Sequence, residues 1–259
     1  VVITLLTDFG FADNFVGVMK GVILSINPEA TIVDITHEVP PQDVLTAAFL
    51  LETSWPYFPS GSIHVAVVDP GVGTARRAIA VETPRAIFLA PDNGLLTPII
   101  KGGKVKKIIS LTNPRYWLPD LSYTFHGRDV FAPVAAYLSL GVPLEEMGTP
   151  IEDPVLLEWP CPSKLPDGTI VGHILHIDRF GNLITNLKPE DLREGVVIKV
   201  AGHEIHGLKK TFADVGVGEP VAYIGSSGYL EIAIRQGNAA HTFKLRRGDK
   251  IYVEGRGNG

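Results

Sequence analysis

Over roughly the first half of the chain, short apolar runs alternate with stretches whose apolar residues recur at helical spacing. Residues 1–6 form one such run, closing on Thr7-Asp8-Phe9-Gly10. They predict a strand covered on both faces that stops at a loop, with Asp8 at its carboxyl end. Over 13–26 the residues Phe15, Val18, Met19, Val22, Ile23 and Ile26 mark one face of a helix, with Asp13 or Asn14 as N-cap and Asn27-Pro28 as the stop. The same reading predicts strands over 31–35, 62–68, 78–82 and 86–90, and helices over 44–55 and 131–140. Strands alternating with helices imply a mostly parallel sheet wrapped by helices, an α/β fold.

The texture changes after Gly148. Pro150, Pro154, Pro160, Pro162 and Pro166 follow one another closely, a stiff connector of the kind that separates compact units. Beyond it lie short apolar runs divided by Gly and Asn, over 170–177, 183–186, 196–200, 220–224, 230–234 and 250–253, with no convincing helix between them. This half predicts a small all-β unit, an antiparallel barrel or sandwich. The expected division is an N-terminal domain over 1–155, a Pro-rich linker over 156–168 and a C-terminal domain over 169–259.

Composition narrows the function. With 45% hydrophobic and 20% charged residues in 259, the chain can bury one large core or two modest ones, and disorder is excluded. No apolar stretch approaches the roughly 20 residues of a bilayer span, so no membrane partner is expected. A net charge of −5 without a basic run removes the field that draws proteins onto phosphate backbones, and nucleic acid is not an expected partner. The lone Cys161 cannot form an internal disulfide, and no basic flank precedes the first apolar run; both fit a reduced, cytoplasmic setting. The 27 Gly and 20 Pro predict many tight loops.

In an open parallel sheet, ligands bind beyond the carboxyl ends of the strands. Asp8 stands at one such end, where a carboxylate can accept from ribose hydroxyls, or can serve as a plain turn or cap residue. The loop from Asp69 through Pro70, Gly71 and Gly73 to Arg76 and Arg77 could set Asp69 and Arg76 on opposite walls, or be an Asp-Pro-Gly turn followed by a solvated arginine pair. It lacks the spacing of a phosphate-cradling loop. His126 precedes a helix that begins near Val130; a histidine at a helix N-terminus stays neutral, available to hydrogen-bond or take a proton, unless Asp129 is simply the N-cap and His126 filler. Pro91-Asp92-Asn93-Gly94 could line the same crevice or be only a turn.

The second half offers Asp178, Phe180 and Asn182 in one turn, Phe212, the Gly225-Ser226-Ser227-Gly228 loop, and Gly237-Asn238-Ala239. Phe with Asn suits adenine, and serines with backbone N–H groups suit a carboxylate, although each is also an ordinary hairpin-turn composition. Two decoys fall away. Asp8-Phe9-Gly10 and His126-Gly127-Arg128-Asp129 echo kinase signatures in the wrong order and without their lysine. His173 with His176, and His203 with His206, have metal-like spacing, but residues three apart on a strand point to opposite faces.

Taken in order, Thr7-Asp8-Phe9-Gly10, Asp34-Ile35-Thr36-His37, the segment from Val68 to Thr74, Pro91-Asp92-Asn93-Gly94, Phe125-His126-Gly127-Arg128-Asp129, the segment from Asp178 to Asn182, and Tyr229-Leu230-Glu231-Ile232-Ala233 resemble the S-adenosyl-L-methionine (SAM) hydroxide adenosyltransferase family, SAM hydrolases related to the fluorinase and chlorinase. The resemblance implies a Rossmann-like N-terminal domain, a C-terminal β-barrel, and a homotrimer with sites between subunits. It implies hydrolysis of SAM at ribose C5′ to adenosine and L-methionine, with no metal and no cofactor. In the roles it carries over, Asp69, Arg76 and His126 surround the attacking water, Asp8 binds the ribose, Asn182 reads adenine, and Asp178 meets the methionine ammonium. Phe180 and Phe212 flank the adenine, Ser226 and Ser227 hold the methionine carboxylate, and Ala239 adds a substrate contact. The halogenating relatives carry a hydroxyl residue at the position of Gly127 and an aromatic at that of Asp69, so halogenation is the weaker alternative; a SAM- or adenosine-binding module without turnover is the other.

Overall fold

The computed structural model describes residues 1–193 and 195–255. Its internal contacts divide the chain into two units, Val1–Trp159 and Pro160–Gly259. The first unit runs β1 (Val2–Thr7), α1 (Phe15–Ile26), β2 (Thr31–Thr36), α2 (Val44–Ser54), β3 (Ser62–Val67), β4 (Ala78–Glu82), β5 (Ala86–Pro91), α3 (Thr97–Lys101), β6 (Lys107–Ser110), α4 (Ala132–Ser139) and β7 (Thr149–Pro150). One sheet holds all seven strands in the order β2-β1-β3-β5-β4-β6-β7. The strands β2, β1, β3 and β5 are mutually parallel, as the strand and helix alternation predicts. The remainder is antiparallel, because the three residues between β4 and β5 allow only a hairpin.

Side chains alternate across this sheet. Ile63, Val65 and Val67 of β3 pack with Met19 and Ile23 of α1 and with Val134 and Leu138 of α4. Ala66 and Val68 join Ala47 and Leu51 of α2 and Ile99 of α3 on the other face. Both faces are therefore covered, which is why β3 is buried along its whole length. The α2 helix stops at Ser54, one residue before the predicted end, where Pro56 enters a single 3₁₀ turn over Trp55–Tyr57.

The second unit comprises β8 (Ser163–Lys164), β9 (Ile170–Ile177), β10 (Leu183–Thr185), β11 (Val197–Val200), β12 (His203–His206), β13 (Pro220–Ile224), β14 (Leu230–Ile234), α5 (Ala239–Phe243) and β15 (Lys250–Glu254). All pairings are antiparallel, in the order β12-β11-β15-β9-β10-β14-β13 with β8 against β9. Just past β12 the Lys209 N–H donates to Ala222 O of β13 at 2.8 Å, drawing the two ends of the sheet together into a nearly closed barrel. The interior is filled by Leu183, Ile198, Leu230, Ile232, Ile251 and their neighbours.

Among its described residues this half does contain one short α-helix, contrary to the sequence expectation. Asn238 caps α5 by accepting from His241 N at 2.7 Å, and Ala239 and Phe243 turn into the barrel core. The Pro-rich stretch is tied down. Val155 N donates to Asp92 Oδ1 and Leu157 N to Thr97 Oγ1, both at 2.8 Å, whereas Pro160 O accepts from Asn186 Nδ2 at 3.0 Å. Cys161 is exposed. Among the described residues no helix is long and apolar enough to cross a membrane.

Candidate active site

In the first unit β1 and β3 are parallel neighbours, so Asp8 and Asp69 leave the sheet from adjacent strand ends. Asp69 and Arg76 do not face each other across an open loop. The guanidinium lies on the carboxylate, with Nε donating to Oδ1 at 3.0 Å and to Oδ2 at 2.9 Å and Nη2 bridging to Oδ2. Both side chains are more than nine-tenths buried, and Arg76 also lies over the Phe131 ring, 5.8 Å from its centroid.

Arg76 Nη2 also reaches His126 Nδ1 at 2.8 Å. A guanidinium only donates, so Nδ1 is the acceptor and the ring hydrogen of neutral His126 sits on Nε2. Burial lowers the His126 pKa and the Arg76 charge lowers it further, against the opposing pull of Asp69 and Asp129. His126 is thus a hydrogen-bond donor through Nε2, with its basic nitrogen already occupied.

A local irregularity positions His126. Residues 127–131 form one π-helical turn in which Ala132 N–H bonds back to Gly127 O. Pro133 has no N–H to give Asp129 O, four residues earlier, and that carbonyl accepts instead from Leu118 N at 2.9 Å. Asp129 is not an N-cap. Its buried carboxylate accepts from Ser122 N at 2.7 Å and Arg128 Nε at 2.5 Å, fixing the loop before the helix. The Phe9 and Phe125 rings meet edge to face with centroids 5.7 Å apart, joining the Asp8 loop to the His126 loop.

The remaining loops divide between support and surface. Asp8 Oδ2 accepts from Gln42 N at 2.8 Å. Arg77 turns away from Arg76 and binds Asp92 (Nε to Oδ2, 2.8 Å) and Asp153 (Nη1 to Oδ1, 2.7 Å). The Pro91-Asp92-Asn93-Gly94 loop is therefore structural: Asp92 holds Arg77 and Val155 N, and Asn93 Nδ2 donates to Val68 O at 2.8 Å.

The second unit contains a cavity of about 730 Å³ lined by Asp178, Phe180, Asn182, Phe212 and Ser226 among others. Five of the residues picked out in the sequence thus line one space. Asp178 and Asn182 are bonded to each other. Asp178 Oδ1 accepts from Phe180 N and Asn182 N, both at 2.9 Å, and Oδ2 accepts from Asn182 Nδ2 at 2.8 Å. Phe180 is 74% exposed, a ring face free to stack. The fully buried Ala239 packs its methyl in the barrel core instead.

Tyr223 and Glu231 also line the cavity, and sequence reasoning passed over both as binding groups. They lie directly opposite on β13 and β14, with Tyr223 OH donating to Glu231 Oε2 at 2.9 Å and Ser227 Oγ to Oε1 at 3.3 Å. Burial pushes the Glu231 carboxyl above its ordinary pKa and, with the Glu231 charge, the Tyr223 phenol upward too. The available signal was a lone carboxylate on the outward face of an otherwise apolar strand, which reads equally well as a solvated position.

A protein from Salinispora tropica named (R)-S-adenosyl-L-methionine hydrolase is 40% identical over 261 residues, covering 97% of each chain. A namesake from Thermus thermophilus is 42% identical, covering 94% of this chain and 95% of that one. A fluorinase from an Actinoplanes species is 31% identical, with 97% covered on either side. A crystal structure of a Thermotoga maritima protein superposes with a TM-score of 0.91 at 38% identity, covering 97% of this chain and 99% of that chain. The N-terminal and C-terminal domains described as SAM hydroxide adenosyltransferase match residues 3–148 and 172–252, and the chain belongs to the SAM hydroxide adenosyltransferase family.

Proposed function

We propose that the chain hydrolyses SAM at ribose C5′, giving adenosine and L-methionine, and that its substrate is the epimer with the R configuration at sulfur. The observation that carries the reading is Arg76 held between Asp69 and His126, in a chain about 40% identical to full-length relatives named (R)-SAM hydrolases. Water attacks C5′, the C5′–S bond breaks with its electron pair going to sulfur, and one proton is released. The departing thioether is neutral, so no general acid and no metal or redox cofactor is called for. The protein has to hold the water opposite sulfur and remove its proton.

Asp69 does the removing. Its oxygens retain lone pairs beyond the Arg76 bonds, and Arg76 beside them stabilises the negative charge that develops on the attacking oxygen. His126 contributes direction through its Nε2 hydrogen, not a proton acceptor. Asp8 takes the ribose hydroxyls. Phe180, Phe212 and Asn182 take the adenine, and Asp178, Ser226 and Ser227 take the methionine end. Gly127 disfavours halide chemistry, since a Cβ there would sit 3.2 Å from both Met19 Sδ and Phe125 Cε2, leaving little room for a hydroxyl side chain. The reading includes a cytoplasmic homotrimer, with sites that draw on neighbouring subunits, in line with the family resemblance.

The test is incubation of each sulfur epimer with the protein in heavy-oxygen water, followed by mass spectrometry. Labelled adenosine from the R epimer, undiminished by a chelator, is the expected result. Recovery of both epimers intact overturns turnover, and a 5′-halo product with added halide replaces hydrolysis by halogenation. An Asp69→Asn protein should lose about 10²- to 10⁴-fold in turnover, the usual weight of a positioned base.

A further inference from the structure

His37 is fully buried on the first unit, and the reaction as written makes no use of it. It follows β2 and is clamped against the end of β1 from two sides. Its ring Nδ1 lies 2.8 Å from Thr7 Oγ1, and its carbonyl accepts from Gly10 N at 2.8 Å. Thr7 Oγ1 already accepts from Phe9 N at 3.2 Å, so its own hydrogen is available to His37 Nδ1. That places the ring hydrogen on Nε2, which lies 3.1 Å from Asp34 Oδ1. Asp34 Oδ2 is paired with Lys20 Nζ of α1 at 2.6 Å. The Phe11 ring closes the edge of the imidazole at 5.1 Å.

The residues so held are 7, 9 and 10, on either side of Asp8. We infer that His37 is a positioning residue: acting through Thr7, it fixes the backbone from which the Asp8 carboxylate reaches the ribose. The inference rests on the ribose role of Asp8 proposed above. A buried apolar residue of similar size would fill the space and keep the carbonyl that Gly10 N meets, yet it would leave Thr7 Oγ–H without a partner. The contribution is geometric, so it belongs to binding and alignment, not to proton transfer.

Calorimetric titration with adenosine, set beside SAM kinetics, tests this with His37→Phe, His37→Asn, Thr7→Val and the double variant His37→Phe/Thr7→Val. His37→Phe should weaken adenosine binding and raise KM by about tenfold, with a smaller change in kcat; His37→Asn, which keeps an acceptor for Thr7, should recover part of the loss. The double variant should lose no more than the worse single one, because both act through one contact. Unchanged adenosine affinity in His37→Phe, or losses that simply add in the double variant, would overturn the inference. Asp8→Ala separates the two levels. If Asp8→Ala leaves adenosine affinity intact, the ribose reading fails; if it abolishes binding while a folded His37→Phe protein binds normally, only the His37 role fails.

Discussion

Residue chemistry alone does not tell Arg76 from Arg77; the family resemblance picked Arg76, and the structure separates the two. The two stand just before β4 and part company: one guanidinium enters the Asp69 and His126 cluster while the other staples Asp92 to Asp153. Their substitutions should differ accordingly. Arg77→Met leaves the buried Asp92 carboxylate unpaired and should lower stability by about 1–3 kcal/mol in urea unfolding, with kcat retained. Arg76→Lys should cost about 10²-fold in kcat, since an ammonium cannot fork across both Asp69 oxygens and reach His126 as well. Equal effects of the two changes on either quantity would contradict this division. His126 carries a prediction of its own. Its pKa is depressed by burial and by Arg76, so Nδ1 takes up a proton at lower pH than an ordinary histidine does. The acid limb of the kcat/KM profile should therefore be centred below about 6.5, the ordinary histidine midpoint, and a limb centred at or above it would show that the ring titrates normally.

At the scale of elements, the parallel strands and α1 were legible because their apolar periodicity is long and clean. The strand β12 was not: among its four residues only Ile205 is buried, too short an alternation to read. The α5 helix was hidden for a similar reason, since a single capped turn carries no helical period. The most consequential illegible feature is the π turn before α4. Sequence placed a helix near Val130, but not the missing hydrogen bond at Pro133 that lets Leu118 hold Asp129 O and so sets where His126 stands. Pro133→Ala restores a competing N–H. It should leave the melting temperature within a few degrees of wild type, yet lower kcat by about tenfold, because small displacements of catalytic groups are costly. Unaltered turnover in this variant would mean that the π turn does not govern His126.

Across the whole molecule, each unit has its own core, and one buried titratable group ties the first core to pH. His64 on β3 is 1% exposed, stacks on Phe88 with centroids 5.0 Å apart, and shares Nδ1 with Thr4 Oγ1 at 2.8 Å. Burial lowers its pKa from 6.5 to about 4. The unfolded chain therefore binds a proton that the folded chain refuses: this contribution to stability is complete above 6.5 and lost as pH falls toward 4. The loss amounts to about 3 kcal/mol. Urea midpoints for wild type and His64→Gln, taken at both ends of that window, should show the variant losing less on acidification; parallel losses would place the acid sensitivity elsewhere. The pairing of Tyr223 with Glu231 across two strands needed the barrel register to become visible. The exposed Cys161, just inside the second unit, has a use that follows from its being the chain's sole thiol. A nitroxide attached there puts one electron spin on each chain, so dipolar spectroscopy tests the proposed homotrimer: three coupled spins at a single inter-spin distance are the expected result, and an absence of dipolar modulation would argue against it.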